Sequence, residues 1–186
     1  MKLRNFNIGN SETLTLMGGM NVLESRDLAM HVAEKFKESS EKYNINYIFK
    51  GSFDKANRSS INSFRGPGLN KGLSILEKIK NKFKVKTLTD IHESYQADLT
   101  AEVVDVIQIP AFLCRQTDLL VSATKAVIKK NKIINIKKGQ FLAPWDMAEV
   151  LNKINESGLP VNSNKIWLTE RGNSFGYNTL VVDFRS

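Results

Sequence analysis

One short stretch of the sequence gathers amino, guanidinium, amide and hydroxyl groups of the kind that bind phosphate. Residues 50–60 read KGSFDKANRSS, and RGPG follows at 65–68. The guanidinium of Arg58 can form a bidentate bond to a phosphate, and the ammonium groups of Lys50 and Lys55 can act as point charges. These residue types in one stretch therefore indicate that it binds an anion.

Three more cations, Arg115, Lys137 and Arg171, follow other apolar runs of the sequence. If those runs are strands of one sheet, the cations would gather with the first stretch at one edge of it. Like charges that share a cleft repel one another unless anions occupy it. We therefore expect a substrate, or a pair of substrates, that carries phosphate and carboxylate groups. The alternative is a set of separate surface cations.

Apolar runs rich in Val, Ile, Leu and Thr alternate with amphipathic helical patterns along most of the chain. The predicted strands are Thr13–Met17, Tyr47–Phe49, Val85–Ile91, Val103–Ile109, Lys132–Ile136, Lys165–Thr169 and Thr179–Phe184. The spacing of apolar residues predicts helices over residues 28–36, 69–83, 119–127 and 148–154. Nearly continuous apolar strands are typical of a parallel sheet that helices cover. The alternation predicts either a doubly wound sheet or a (β/α) barrel.

Polar residues at the carboxyl ends of many predicted strands favour the barrel. They are Asn21, Glu24, Lys50, Ser52, Lys55, Thr89, Asp90, His92, Gln108, Asn135, Lys137, Glu170 and Arg171. Functional groups at several strand ends are typical of barrel active sites, whereas the sequence has neither a Rossmann fingerprint nor a Walker motif. We predict an α/β fold of the TIM (β/α)8 type over residues 1–186 as a single domain. The barrel is expected to be incomplete, with about six of its eight β/α units present.

Composition excludes several other classes of protein. With 41% hydrophobic and 25% charged residues, the chain has the composition of a globular protein. No apolar run approaches the ~20 residues that span a bilayer, and the N-terminus lacks an apolar signal core. A single cysteine, Cys114, excludes an intramolecular disulfide and a cysteine zinc cluster. We therefore expect a cytoplasmic protein.

The net charge of +8 is compatible with a nucleic-acid partner, but the distribution of the charge does not favour one. The basic residues are 20 Lys and 7 Arg, and the chain also holds 18 Asn. The lysine clusters at 78–84 and 129–132 lie at the ends of predicted helices, where they complement the helix dipole. We expect neither a nucleic-acid nor a membrane partner.

A resemblance to a known family lies in ordered sequence blocks at residues 18–25, 50–60, 65–69, 89–93, 108–113, 115–118, 135–141 and 171–177. They are similar to blocks of the 3-deoxy-D-manno-octulosonate-8-phosphate synthases, also named 2-dehydro-3-deoxyphosphooctonate aldolases. The block Ala-Asn-Arg-Ser-Ser at 56–60 separates them from the 3-deoxy-heptulosonate-7-phosphate synthases, which carry a Pro-Arg-Thr type of sequence there. The resemblance implies the condensation of phosphoenolpyruvate with D-arabinose 5-phosphate and water, with release of phosphate, in lipopolysaccharide precursor biosynthesis.

By matching position, the resemblance also implies roles for individual residues. Those that would bind phosphoenolpyruvate are Lys50, Ser52, Gln108, Ala111, Phe112, Arg115, Lys137 and Arg171, with Ala111 and Phe112 acting through their backbone. Those that would bind arabinose 5-phosphate are Lys55, Asn57, Arg58 and Ser59. The catalytic residues would be Asn21, Lys50, Asp90 and Lys137, with Asn21 and Asp90 near the reacting carbons. A homo-oligomer, a tetramer, is implied as well.

One position of this family separates metal-dependent members, which carry cysteine, from metal-independent members, which carry asparagine. Here it is Asn21, and an amide is a poorer ligand than a thiolate for a borderline divalent ion. We therefore expect no metal and no other cofactor. The family is expected to continue for roughly another third of its length, with the last two strands of a ~250-residue barrel. The alternative is therefore a truncated, catalytically impaired remnant that retains only its anion-binding sites.

Overall fold

The structure, a computed structural model, describes residues 2–3 and 6–185. A short antiparallel hairpin of β1 (Lys2–Leu3) and β2 (Phe6–Asn7) precedes the alternation of strands and helices. The chain divides into two compact units. The first holds residues 1–90 and 103–105, and the second holds residues 91–102 and 106–186.

The first unit is a parallel three-stranded sheet with two long helices. Its elements are β3 (Thr15–Met20), α1 (Arg26–Lys42), β4 (Asn46–Gly51), α2 (Leu69–Phe83) and β5 (Lys86–Asp90). The central strand β4 pairs with β3 and with β5, so that Lys50 lies beside Gly19 on one side and Leu88 on the other. Helix α1 packs on β3 and β4, and α2 packs on α1 and β5. The fully buried Ile48, Phe49 and Leu76 belong to its core.

Local sequence signals explain where the helices of the first unit begin and end. The Ser25 hydroxyl caps α1 by accepting a hydrogen bond from the Leu28 amide at 3.1 Å. Helix α2 ends at Lys84, which has a left-handed backbone conformation (φ 56°). Within α2, a Cβ at Gly72 would stand 2.3 Å from the Cβ of Phe53, so only glycine permits this close approach. These features define where α1 begins, where α2 ends and how closely α2 approaches the segment that follows β4.

The second unit repeats the same pattern of strands and helices. Its elements are α3 (Gln96–Val103, of which Val103 belongs to the first unit), β6 (Val106–Ile109), α4 (Thr117–Lys130), β7 (Ile133–Lys137), α5 (Met147–Glu156) and β8 (Ile166–Thr169), with short 3₁₀-helices at Ala111–Leu113 and Pro144–Asp146. Strand β7 pairs in parallel with β6 and β8, which places Gln108 beside Asn135 and Lys137 beside Thr169. Helix α4 packs on β6, β7 and α5.

The predicted α/β fold, an incomplete TIM-type barrel, is confirmed by six parallel strands among the described residues, β3 to β8, which alternate with helices. The four predicted helices are present, and Lys80, Lys82, Lys129 and Lys130 occupy last turns of α2 and α4 as expected. Among the described residues, no helix has the length and apolar character that a membrane span needs.

Two of the predicted strands are wrong in part. Residues 179–184 form no strand of the parallel sheet, because β10 (Thr179–Val181) folds back on β9 (Asn173–Phe175) as an exposed antiparallel hairpin that turns near Gly176 (φ 55°). The strand predicted over 103–109 begins only at Val106, since Val103 ends α3. Because Val103, Val104 and Val106 form one apolar run, the sequence pattern did not show that α3 ends at Val103.

The buried carboxylate of Asp105 offers a test of the packing in the first unit. Its oxygens accept a hydrogen bond from the Thr87 amide at 3.1 Å and lie 3.0 Å from Lys80 Nζ and 3.7 Å from Lys86 Nζ. We expect Asp105→Ala to lower the free energy of unfolding by about 3 kcal/mol, because it leaves these partners without their counter-charge. Urea denaturation measures the change. The control Glu38→Ala removes an exposed ion pair with Lys35 and should change stability little; equal effects would contradict the prediction.

Candidate functional site

A network of side chains at the carboxyl ends of β4 and β5, buried at its centre, joins several of the predicted site residues. Lys50 Nζ donates to Ser52 Oγ at 2.9 Å and to the backbone oxygen of Asn21 at 3.4 Å. Ser52 Oγ donates to Asp90 Oδ1, and Lys55 Nζ lies 3.8 Å from Asp90 Oδ2. Ser52 is fully buried and Asp90 is 3% exposed. One buried carboxylate is thus linked directly to Lys55 and, through Ser52, to Lys50.

Strand geometry explains this arrangement. Lys50 and Ser52 are two residues apart in an extended segment, so their side chains lie on one face of the sheet. The Leu23 amide donates to the Ser52 carbonyl at 2.9 Å and holds the segment that follows β3 against the end of β4. Asn21, whose side chain is exposed, is thereby kept beside Lys50. Two ammonium groups and one carboxylate leave this network with a net positive charge that suits an anion.

Arg58 lies in the exposed loop that follows the network. Its Nε donates to the Phe64 carbonyl at 3.2 Å, which fixes the guanidinium without using its two terminal nitrogens. Among the described residues these nitrogens have no protein partner. Arg58 lines an open groove of about 390 Å³ with Val22, Glu24 and Phe64. A guanidinium held at one end and free at the other can bind a phosphate through two parallel bonds.

Arg65, in the same loop, has a structural task instead. Its Nε and one terminal nitrogen donate to the two carboxylate oxygens of Asp54 at 2.9 and 2.6 Å, and this pairing raises the pKa of Arg65. Its carbonyl accepts the Lys55 amide at 2.7 Å. The next residue, Gly66, has φ 130°, and a Cβ there would lie 2.3 Å from the Phe53 oxygen. The bidentate pair therefore closes the loop that carries Arg58.

A second hydrogen-bond network lies at the carboxyl ends of β6, β7 and β8. Asn135 Nδ2 donates to Gln108 Oε1 at 3.3 Å, and Thr169 Oγ1 donates to Asn135 Oδ1 at 2.7 Å. The strand register places Gln108 beside Asn135, and Thr169 lies two residues beyond Trp167, the register partner of Asn135 in β8. Gln108 takes part in this network through its side-chain oxygen, so its amide nitrogen remains available as a donor to a ligand. From the sequence, Asn135 is predicted only as a strand-end residue and Thr169 is not predicted, because the pairing register of strands is not visible in a single sequence.

The other predicted residues of the second unit lie on the segments that follow its strands. Ala111 is buried and Phe112 is exposed in the 3₁₀-helix after β6. The carbonyl of the exposed Arg115 accepts a bond from Lys153 Nζ at 2.9 Å, which fastens the start of α4. Lys137 and Arg171 are partly buried, and within the described part of the chain the Arg171 guanidinium has no protein partner.

The structure thus brings together Asn21, Lys50, Ser52, Lys55 and Asp90 in the first unit, and leaves Asn57, Arg58 and Ser59 exposed on the adjoining loop. In the second unit it places Gln108 in a side-chain network. No group of three or more His, Cys, Asp or Glu side chains that could hold a metal ion is found over the residues that the structure describes. The binding and catalytic roles remain predictions.

Cys114 is buried, and burial raises the pKa of its thiol. We expect a disulfide reagent to modify the folded chain at least about a hundredfold more slowly than the chain in guanidinium chloride, because only an accessible thiolate reacts. The absorbance of the released thiolate follows both reactions. Comparable rates would contradict the assignment of Cys114 to the core.

Comparison with known proteins agrees with the resemblance predicted from the sequence. A protein of Pseudoalteromonas translucida named 2-dehydro-3-deoxyphosphooctonate aldolase is 57% identical over 183 residues, which cover 98% of this chain and 62% of the relative. Proteins of the same name from Cyanothece sp. and Pseudomonas aeruginosa are each 56% identical, and the matches cover 96% and 98% of this chain and 63% and 62% of the relatives. The chain thus spans less than two thirds of the length of these relatives. The sequence profile of the DAHP synthetase I family matches residues 2–186, and the chain therefore belongs to this family.

Proposed function

We propose that this chain carries substrate-binding and catalytic residues of a 3-deoxy-D-manno-octulosonate-8-phosphate synthase, or 2-dehydro-3-deoxyphosphooctonate aldolase. The reaction condenses phosphoenolpyruvate with D-arabinose 5-phosphate and water, and yields the octulosonate 8-phosphate and inorganic phosphate for lipopolysaccharide precursor biosynthesis. The observation that carries the proposal is the network of the partly buried Lys50 and Lys55 with the buried Ser52 and Asp90. The relatives with this name support it.

The arabinose 5-phosphate would lie against the exposed loop of the first unit. Arg58 offers two free terminal nitrogens to the phosphate, and Asn57 and Ser59 add neutral donors on the same loop. Lys55, held toward the carboxylate of Asp90, would contact the sugar end. A guanidinium fork on the phosphate fixes the sugar's orientation, and orientation is a large part of what this reaction requires.

The phosphoenolpyruvate would be bound by cations and backbone groups that neutralise its phosphate and carboxylate. The residues that the resemblance assigns to it are Lys50, Ser52, Gln108, Ala111, Phe112, Arg115, Lys137 and Arg171. Gln108 keeps a donor for it, and the Arg171 guanidinium has no described protein partner. A partly buried cation without an internal partner is costly unless an external anion supplies one.

Catalysis would depend on electrostatics more than on covalent chemistry. The enol carbon attacks the sugar aldehyde, whose oxygen takes up a proton, and positive charge develops on the neighbouring carbon. Water adds to that carbon and loses a proton, and the bond from the carbon to the phosphate oxygen breaks as the ketone forms. The carboxylate of Asp90, buried and fixed by Ser52, is suited to stabilise that charge, and Asn21 would lie near the reacting carbons. Lys50 and Lys137 would stabilise the departing phosphate.

Several further properties belong to the same proposal. With asparagine at position 21, the enzyme would need neither a metal nor another cofactor. Its partners would be small phosphorylated substrates and copies of itself in a tetramer, with no nucleic acid and no membrane. We place it in the cytoplasm, and treat residues 1–186 as a single partial barrel domain.

The test of the function is release of phosphate from phosphoenolpyruvate only when arabinose 5-phosphate is added. D-ribose 5-phosphate, which differs in the configuration of one hydroxyl, is the matched control. Because Asn21 replaces a thiolate ligand, we expect dialysis against EDTA to change neither this release nor the affinity for phosphoenolpyruvate. Restoration by zinc or manganese after EDTA would contradict metal independence. Binding of both substrates without turnover would favour an inactive remnant.

Substitution of the second unit's cations tests the assignment of the two ligands. We expect Lys137→Ala and Arg171→Ala each to weaken phosphoenolpyruvate binding by about 10- to 150-fold, the loss of a charge-assisted bond, and to leave arabinose 5-phosphate binding nearly unchanged. Titration calorimetry measures both affinities. Arg185→Ala, which removes an exposed arginine paired with Asp183, is the control. Equal losses for both ligands would contradict the assignment.

A further inference from the structure

Lys138 is a buried ammonium group that the proposed function does not use. The residue is 3% exposed, although it directly follows the partly buried Lys137 at the end of β7. Its Nζ lies 3.1 Å from the carbonyl oxygens of Leu142 and Gly172, 3.4 Å from that of Gly139, 2.8 Å from Asn173 Oδ1 and 3.5 Å from Glu170 Oε1, so its three N–H groups are shared among five oxygens. All of these partners of the ammonium group are oxygen atoms of the protein.

These contacts join two segments that are distant in sequence, residues 139–142 after β7 and residues 170–173 after β8. Further bonds run between the same segments: Asn173 Nδ2 donates to the Leu142 carbonyl at 2.6 Å, and the Ser174 amide donates to the Gln140 carbonyl at 3.0 Å. The ammonium group of Lys138 contacts both segments and lies between them. It is therefore the group through which the two segments are joined.

Arg171 lies in the segment that Lys138 holds, between two of its contacts. On one side the Glu170 carboxylate is near Lys138 and also accepts the Gly172 amide. On the other side the Gly172 carbonyl accepts from Lys138 directly. Gly172 has φ 87°, so the backbone here takes a conformation that other residues rarely adopt. The backbone on both sides of Arg171 is therefore fixed.

A buried ammonium is an expensive way to stabilise a fold. Desolvation of the charge offsets most of what its hydrogen bonds contribute, and a well-packed apolar side chain often serves stability as well or better. What the ammonium supplies, and an apolar group cannot, is a defined geometry for several oxygens at once. The segment that gains this geometry is the one that carries Arg171.

We propose that Lys138 is a positioning residue, whose ammonium holds residues 170–173 so that Arg171 meets the anionic end of phosphoenolpyruvate. The inference rests on the proposed function of Arg171. Successive side chains of an extended segment point to opposite sides, so adjacent lysines can divide two tasks. Lys137 binds the ligand, and Lys138 fixes the arginine that assists it.

If Lys138 has this role, the effect of substituting it on phosphoenolpyruvate affinity must depend on the presence of Arg171. Lys138→Met keeps the length of the side chain and removes the charge, so the segment loses its centre and Arg171 samples other positions. Affinity for phosphoenolpyruvate should fall by about tenfold, and affinity for arabinose 5-phosphate should not change. When Arg171 is already alanine, nothing remains to be positioned. Lys138→Met should then cause no further loss.

A double-mutant cycle on the 186-residue chain tests this dependence. Calorimetric titration with phosphoenolpyruvate would compare the parent chain, Lys138→Met, Arg171→Ala and the double variant. We expect the double variant to match Arg171→Ala within about twofold. Lys86→Met is the matched control, since it removes another largely buried lysine, paired with Asp105 in the first unit, and should leave phosphoenolpyruvate affinity unchanged. Should Lys138→Met fail to fold, Glu170→Gln replaces it, with a smaller loss that also vanishes without Arg171.

The possible outcomes separate the inference from the function on which it rests. Additive losses, or no loss in Lys138→Met, would overturn the positioning role and leave the binding role of Arg171 intact. No loss in Arg171→Ala would overturn the assignment of Arg171 to phosphoenolpyruvate, and the inference with it. A loss in Lys86→Met equal to that in Lys138→Met would show a general effect of stability and would also overturn the positioning role.

Discussion

The need to compensate cations at the ends of buried strands governs both units of this protein. Ammonium and guanidinium groups placed near one another repel, and their burial costs hydration. In the first unit the carboxylate of Asp90 offsets this cost for Lys55 directly and for Lys50 through Ser52. In the second unit Glu170 and a set of carbonyls do the same for Lys138. Protein oxygens surround the ammonium of Lys138, whereas Lys50 and Lys55 share a single carboxylate and together keep a net positive charge that suits an anion.

Several of these basic side chains donate to backbone carbonyls, and the same hydrogen bonds hold the loops in place. Lys50 donates to Asn21, Arg58 donates to Phe64, and Lys153 donates to Arg115, in each case to the main-chain oxygen. Each bond fastens a segment that follows a strand or precedes a helix. Because loops otherwise have few packing contacts, these side chains supply order where the candidate ligand-binding residues lie.

The sequence predicted those candidate site residues that stand at the ends of apolar strand patterns. Lys50, Ser52 and Asp90 could be predicted because each stands at or just after the end of an apolar run, and the ends of neighbouring parallel strands lie at one edge of the sheet. The hydrogen bonds of Asn135 with Gln108 and with Thr169 depend on how the strands pair, which no single sequence displays. The run over 179–184 has strand character but lies exposed in a hairpin, since β propensity does not specify the pairing partner.

Residue type alone could not divide the basic residues into structural and binding groups. Arg58 and Arg65 lie in one loop, yet Arg65 gives two nitrogens to Asp54, whereas Arg58 gives only its Nε to a carbonyl. Lys137 and Lys138 are neighbours, but Lys138 is buried and donates to several protein oxygens, whereas Lys137 is partly exposed. A formal charge of +8 therefore overstates the charge available to a ligand. Affinity for a doubly charged phosphate would depend on the few lysine and arginine side chains that the fold holds at the strand ends and does not enclose.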